Sequence, residues 1–179
     1  MPLPFGAFHE GQVFNDLGVT VQISFSISAL AMSEYGRVQN NEIRRDPNCM
    51  MHAARDQMVT VDPTRLSHLT HNTVRADCIE YVIAKHGETL YDTLLSSDEY
   101  SGWSNWAEQM GDEHHYGDKL LFEAICNLYG GFNIITIVGS VRGGAFIQKS
   151  GHHTRPTLYF GLEPDFHVSS LQLEHKVCR

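Results

Sequence analysis

The sequence predicts an α+β fold in which a central, mostly antiparallel sheet is flanked by helices. Three observations carry this expectation. Apolar residues recur at helical spacing through residues 49–128, the pattern of helices with one buried face. The apolar run Phe132–Val138 follows, short enough for a buried strand. Thr157–Leu162 and Phe166–Leu171 then read as two antiparallel strands joined across a turn that contains Pro164. At 179 residues the chain is long enough for a real core and fits one domain.

The elements can be justified in order. Residues 1–18 are rich in Gly and Pro and read as irregular. Val19–Ser28 alternates apolar and polar residues, as a half-buried strand does, although Ala29–Tyr35 can instead begin a helix. Cys49–Met58 has neither Gly nor Pro and reads as a helix with Met50, Ala53, Ala54 and Met58 on its apolar face. Pro63 suits the first turn of the next helix. From there Leu66, Leu69, Val74, Cys78, Ile79, Val82 and Ile83 continue one helical run to Gly87. Tyr91, Leu94 and Leu95 suggest a short helical piece. Asp98 is placed to cap a helix that carries Tyr100, Trp103, Trp106 and Met110 and stops at Gly111. Asp118 is placed to cap another, with Leu121, Ala124, Ile125 and Leu128 inward and Gly130-Gly131 as its stop. The stretch 139–155 reads as a hairpin or mobile loop.

Composition narrows the function classes. A net charge of −8 with no basic stripe speaks against nucleic acid as a partner. No run approaches the ~18 apolar residues a membrane span needs, and Val19–Met32 is too interrupted and too late for a usual signal peptide. None of Cys49, Cys78, Cys126 and Cys178 forms a Cys-x-x-Cys pair. Cys78 and Cys126 lie in apolar helical patterns and are expected to be buried free thiols. Cys178 is expected to be exposed. This usage fits a reducing compartment. His114-His115 and His152-His153 are adjacent pairs whose rings point apart on a helix or strand, so no metal site is expected. No Gly-rich phosphate loop is present, and no cofactor is expected.

Asp46-Pro47-Asn48-Cys49 sets a cysteine in the first turn of a helix, just after a polar turn. A helix N-terminus carries about +0.5 of an elementary charge. That placement is expected to lower a thiol pKa from ~8.5 toward neutrality, although a cysteine there can also be a small buried hydrophobe. Further on, His115-Tyr116-Gly117-Asp118 opens a helical run that feeds Asn133–Val138, and Asp165-Phe166-His167-Val168 comes near the end. In this order the pieces resemble the ovarian tumour (OTU) family of papain-like cysteine proteases. That family has Asp-Gly-Asn-Cys opening a helix, a Trp-Gly-Asp helix feeding a core strand, and a histidine followed by an apolar or aromatic residue on a late strand. The resemblance spans roughly Glu42 to Leu173. It implies a papain-like fold, with a catalytic domain at residues 41–179 and a variable segment at 1–40 packing on or extending it.

Carried onto this chain, the family pattern makes Cys49 the nucleophile and His167 the general base and acid. Imidazole titrates near the working pH and can return the thiol proton to the leaving amine. The orienting residue is open. Many family members place an acid or amide two positions after the histidine, where this chain has Ser169. Others use an acid three before the cysteine, which favours Asp46 as the orienter or as a residue of the oxyanion loop. Asp165 is a third candidate that fits a turn better. Oxyanion or substrate contacts are expected at Asn48, Tyr116 and Gly117, with the N–H groups of Cys49 and Asn48 as donors. Pro47 stands where the family has glycine and supplies no backbone N–H. Tyr116 stands where the family usually has tryptophan.

The resemblance implies a deubiquitinating thiol isopeptidase that cleaves ubiquitin or polyubiquitin from lysine, needs no cofactor and acts as a cytoplasmic monomer, or in a host cytosol if it is a secreted effector. Loops His114–Asp118 and Ser150–Pro156 would contact ubiquitin. Two alternatives stand beside this reading. One is a weakened ubiquitin-binding pseudoenzyme, suggested by Pro47 and Ser169. The other is a protease for a ubiquitin-like modifier.

Overall fold

A computed structural model of the chain describes residues 13–14, 20–21, 26–87, 100–141 and 144–174. β1 (Val13–Phe14) and β2 (Thr20–Val21) pair antiparallel, so part of the stretch expected to be irregular is extended. The strand expected over 19–28 does not reach its end, because Ile27 and Ser28 open α1 (Ile27–Tyr35). The Ser26 hydroxyl accepts the Ala29 N–H and fixes the helix start, which a period-two apolar pattern cannot reveal. Gly36, at φ 60°, closes α1 in the left-handed conformation that glycine adopts without penalty.

β3 (Arg37–Gln39) and α2 (Cys49–Val61) follow. The single helical run expected from Pro63 is two helices, α3 (Pro63–Leu66) and α4 (His71–His86). The Thr70 hydroxyl accepts the Thr73 N–H and caps a fresh helix inside the apolar pattern. Tyr91, Leu94, Leu95 and Asp98 lie outside the described residues. α5 (Trp103–Gly111) begins with Gly102 at its N-cap, four residues beyond the expected Asp98. Asp118 caps α6 (Lys119–Asn127) as expected, accepting the N–H groups of Leu120 and Leu121. It also accepts the indole N–H of Trp106 and so joins α5 to α6. A 3-10 turn at Leu128–Gly130 leads into β4 (Asn133–Gly139). β5 (Ala145–Gly151) folds back on it as a hairpin, and β6 (Thr157–Leu162) and β7 (Val168–Leu173) complete the chain's described part.

The main sheet runs β3-β7-β6-β4-β5. Only the β4–β6 pair is parallel; the other three are antiparallel. Helices α2, α4, α5 and α6 bury one face, against Ile134, Leu158 and Phe160. α1 covers the other, where Ala31 meets Ile137 and Leu171. Burial on both faces explains why β4 is a continuous apolar run rather than an alternating one. Gln57 of α2, almost fully buried, donates to the Leu171 carbonyl and accepts the Tyr159 N–H, so it supplies bonds to β6 and β7 that the strands do not make with each other. Among the described residues no helix is long and apolar enough to cross a membrane.

Register fixes which loops share an end of the sheet. β6 starts beside Asn133 and ends beside Val138, and Leu162 at that end pairs with Val168. The turn 163–167 and the Gly139–Ala145 end of the β4–β5 pair therefore lie at one end, and the loop 152–156 lies at the other.

Candidate active site

The turn before Cys49 is built around Asp46. Its carboxylate accepts the Asn48 N–H at 2.9 Å and its carbonyl accepts the Cys49 N–H at 3.0 Å. These bonds are those of a loop-shaping residue, the second of the two roles expected for Asp46. They also engage both N–H groups expected to serve an oxyanion. Asn48 is the N-cap of α2, yet its side chain does not cap the helix. Its amide donates to the Glu113 carbonyl and accepts from the guanidinium of Arg75.

Arg75 is the residue that sequence reasoning missed. It is 4% exposed and donates to Asn48 Oδ1, Met110 O, Pro47 O and His115 O. One guanidinium thus pins the turn before Cys49 to the segment before α6. Burial lowers its pKa. The signal was present in the sequence: Arg75, Cys78 and Val82 fall on one helical stripe that otherwise faces the core.

Cys49 lies 1% exposed at the start of α2, packed against the chain entering β7. Its Sγ accepts the Val168 N–H at 3.3 Å and lies 3.8 Å from the Phe166 carbonyl. Burial pushes the thiol pKa up, and the N–H groups of Val168 and Met50 pull the other way without prevailing. The direction is the opposite of the expected fall toward neutrality: desolvation of the thiolate outweighs the N–H groups that face it. His167 comes to the same place from the other side, one residue before β7. Burial and the charge of Arg45 lower its pKa, against the pull of Glu163, Asp165 and Asp46. Its Nδ1 is buried and has no hydrogen-bond partner among the described residues. Burial thus disfavours the charged form of both groups.

The remaining expected residues sort by contact. The Ser169 hydroxyl donates to the Gly161 carbonyl and accepts from Gln39. Asp165 accepts the His167 N–H at 3.4 Å and pairs with Arg45, as a turn residue does. Gly117 backs onto the cysteine-bearing helix, since a Cβ there would lie 2.8 Å from Met50 Sδ. Tyr116 is 47% exposed beside it. The loop Ser150–Pro156 does not reach the site. Its first two residues end β5, and the rest lies at the far end of the sheet from His167. The segment immediately before His167 is the turn Glu163–Phe166. Cys78 and Cys126 are buried and free, with thiols raised by burial to about 12 and about 11; Cys178 lies outside the described residues. Among the described residues no three His, Cys, Asp or Glu side chains group as a metal site would require.

The arrangement sets a thiol at a helix start against the backbone on either side of a histidine at a strand start. Comparison with known proteins gives the family. Residues 44–172 match the family model for the OTU-like cysteine proteases. No curated protein matches the chain by sequence. Several solved structures share the fold. An OTU deubiquitinase from Wolbachia pipientis wMel aligns with a TM-score of 0.61 at 11% identity, over 77% of this chain and 89% of that one. The viral OTU domain protease of Dera Ghazi Khan virus aligns at 0.58 and 17% identity, over 93% and 99%. The Hazara virus OTU bound to ubiquitin aligns at 0.57 and 14% identity, over 92% and 96%. With helices packed on a mostly antiparallel sheet and a family match across most of its length, this chain belongs to the OTU-like cysteine protease family.

Proposed function

We propose that the protein is a deubiquitinating thiol isopeptidase, with Cys49 as nucleophile, His167 as general base and acid, and Asp46 as the residue that shapes the oxyanion loop. The observation that carries this reading is the seating of Cys49 Sγ against the turn that bears His167, through the Val168 N–H and the Phe166 carbonyl. Ubiquitin is the proposed substrate because the Hazara virus domain of the same fold is bound to it. The buried free thiols support a reducing, cytoplasmic setting.

The chemistry follows from the groups present. His167 takes the proton from Cys49, and the thiolate attacks the carbonyl carbon at the ubiquitin C-terminus. The negative oxygen of the tetrahedral intermediate competes with Asp46 for the N–H groups of Asn48 and Cys49, which Asp46 holds in the free protein. Pro47 adds no donor, and one missing donor costs on the order of 3 kcal/mol of transition-state stabilisation. His167 then protonates the leaving lysine amine. Water, deprotonated by His167, hydrolyses the thioester and frees Cys49.

A second reading, a ubiquitin-binding module with weak chemistry, is favoured by two observations: the thiol raised by burial and the engaged N–H groups. A ubiquitin carrying a C-terminal thiol-reactive warhead separates the two. Adduct formation that is lost in Cys49→Ala supports the isopeptidase, whereas binding without adduct in the folded protein selects the module.

A further inference from the structure

The β6–β7 hairpin closes in an unusual way. Leu162 pairs with Val168, so Glu163 and His167 are the next opposed pair. Glu163 N–H donates to the His167 carbonyl at 2.9 Å, and Phe166 N–H donates to the Glu163 carbonyl at 3.0 Å. Phe166 has φ 66°. These are the bonds of a three-residue hairpin turn ended by a left-handed bulge residue, a position where glycine is usual. Opposed residues on an antiparallel pair project to the same face with Cβ atoms about 5 Å apart. A carboxylate is thereby set beside the imidazole by backbone geometry alone.

The side-chain contacts point the same way. Glu163 accepts from Gln39 Nε2 through one oxygen and pairs with Arg45 through the other. Gln39, Arg45, Glu163, His167 and Ser169 line one cleft of about 280 Å3. His167 Nδ1 is the buried atom left without a partner there. Asp46 is bonded to the Asn48 N–H and Asp165 to Arg45 and the turn, and unlike Glu163 neither stands opposite His167 in the hairpin.

We propose that Glu163 is the positioning acid of His167, accepting the Nδ1–H across the hairpin and stabilising the imidazolium formed when the Cys49 proton moves to Nε2. The inference rests on the reading of His167 as the base. It moves the third member of the constellation from two residues after the histidine, where Ser169 has no charge to offer, to four residues before it. Arg45 and Gln39 tether the carboxylate in the free protein, so accepting the Nδ1–H requires a change of its side-chain rotamer. The ionisable groups acting on the ring are Arg45 and Asp46 from the segment before α2 and Glu163 and Asp165 from the hairpin turn, with the Cys49 thiol against the Val168 N–H next along the chain. Of the three carboxylates, Glu163 favours the charged ring most.

The test is an NMR titration of the His167 ring in the full chain, comparing wild type with Glu163→Gln, Asp46→Asn and Asp165→Asn. Glu163→Gln removes the charge while keeping one of the two acceptor oxygens, and is expected to lower the His167 pKa by about one unit, with less than half that effect from either aspartate variant. An unchanged value in Glu163→Gln, or a larger fall in Asp46→Asn, overturns the proposal. In the warhead reaction Glu163→Gln is expected to slow adduct formation and shift its pH profile, with partial recovery in Glu163→Asp. The titration needs no ubiquitin. A wild type that titrates as expected but forms no adduct therefore refutes the isopeptidase reading and leaves the pairing of Glu163 with His167 standing.

Discussion

Arg75 brings a full charge into the interior and meets only neutral oxygens: three carbonyls and one amide. Arg75→Met would strand all four acceptors, and a buried unpaired polar group costs about 1–3 kcal/mol. A loss of roughly 3 kcal/mol or more in chemical denaturation is expected. Arg75→Lys is expected to recover little, because an ammonium cannot span the fork of acceptors that a guanidinium does. Cys49 makes a pH prediction. Its thiol pKa is raised by burial, so in the free protein the thiolate forms only above the ordinary cysteine range. Alkylation of Cys49, followed by mass spectrometry with Cys49→Ala as control, should accelerate only at alkaline pH. Acceleration already complete at neutral pH would show that the dipole wins. At this scale Cys49 and His167 were legible because each sits in an ordered motif. Arg75 hid as one polar residue in an apolar stripe. Glu163 hid because its pairing with His167 depends on a left-handed turn residue that is phenylalanine rather than glycine.

Among the elements, those marked by a single strong signal were readable. α2 has an uninterrupted helical pattern, α6 has Asp118 at its cap, and β4 is an apolar run between glycines. The failures came where a cap cut across a pattern: Ser26 turned an alternating stretch into α1, and Thr70 split one apolar run into α3 and α4. Asp118 shows how much one cap can hold. It satisfies two helix N–H groups and the buried Trp106 indole, tying α5 to α6 behind Tyr116-Gly117. Asp118→Ala is expected to destabilise by about 2–3 kcal/mol, from the lost cap and the orphaned indole. Asp118→Asn, which keeps one acceptor oxygen for the cap but cannot also accept the indole N–H, should recover only about half of it in the same denaturation measurement.

Over the whole molecule, the parallel β4–β6 pairing decides where function can sit. It puts the hairpin of His167 at one end of the sheet, against the start of α2, and sends the loop 152–156 to the other. That long-range register was not visible in the sequence, where the apolar runs show strands but not their order. Consequently His153→Ala and Arg155→Ala should leave the rate of ubiquitin-warhead labelling within about twofold, as exposed positions remote from a site do. Val168→Pro, which removes the N–H that Sγ accepts at 3.3 Å, should slow labelling by about tenfold, the loss of a contact worth ~1.4 kcal/mol. Equal effects from the two ends would contradict the placement. The measurement that tests the account most directly is that labelling reaction on wild type, Cys49→Ala and His167→Ala, each shown to be folded. The account predicts a covalent ubiquitin adduct with wild type, none with Cys49→Ala and a strongly slowed reaction with His167→Ala. A folded wild type that forms no adduct, or an adduct that survives Cys49→Ala, would contradict it.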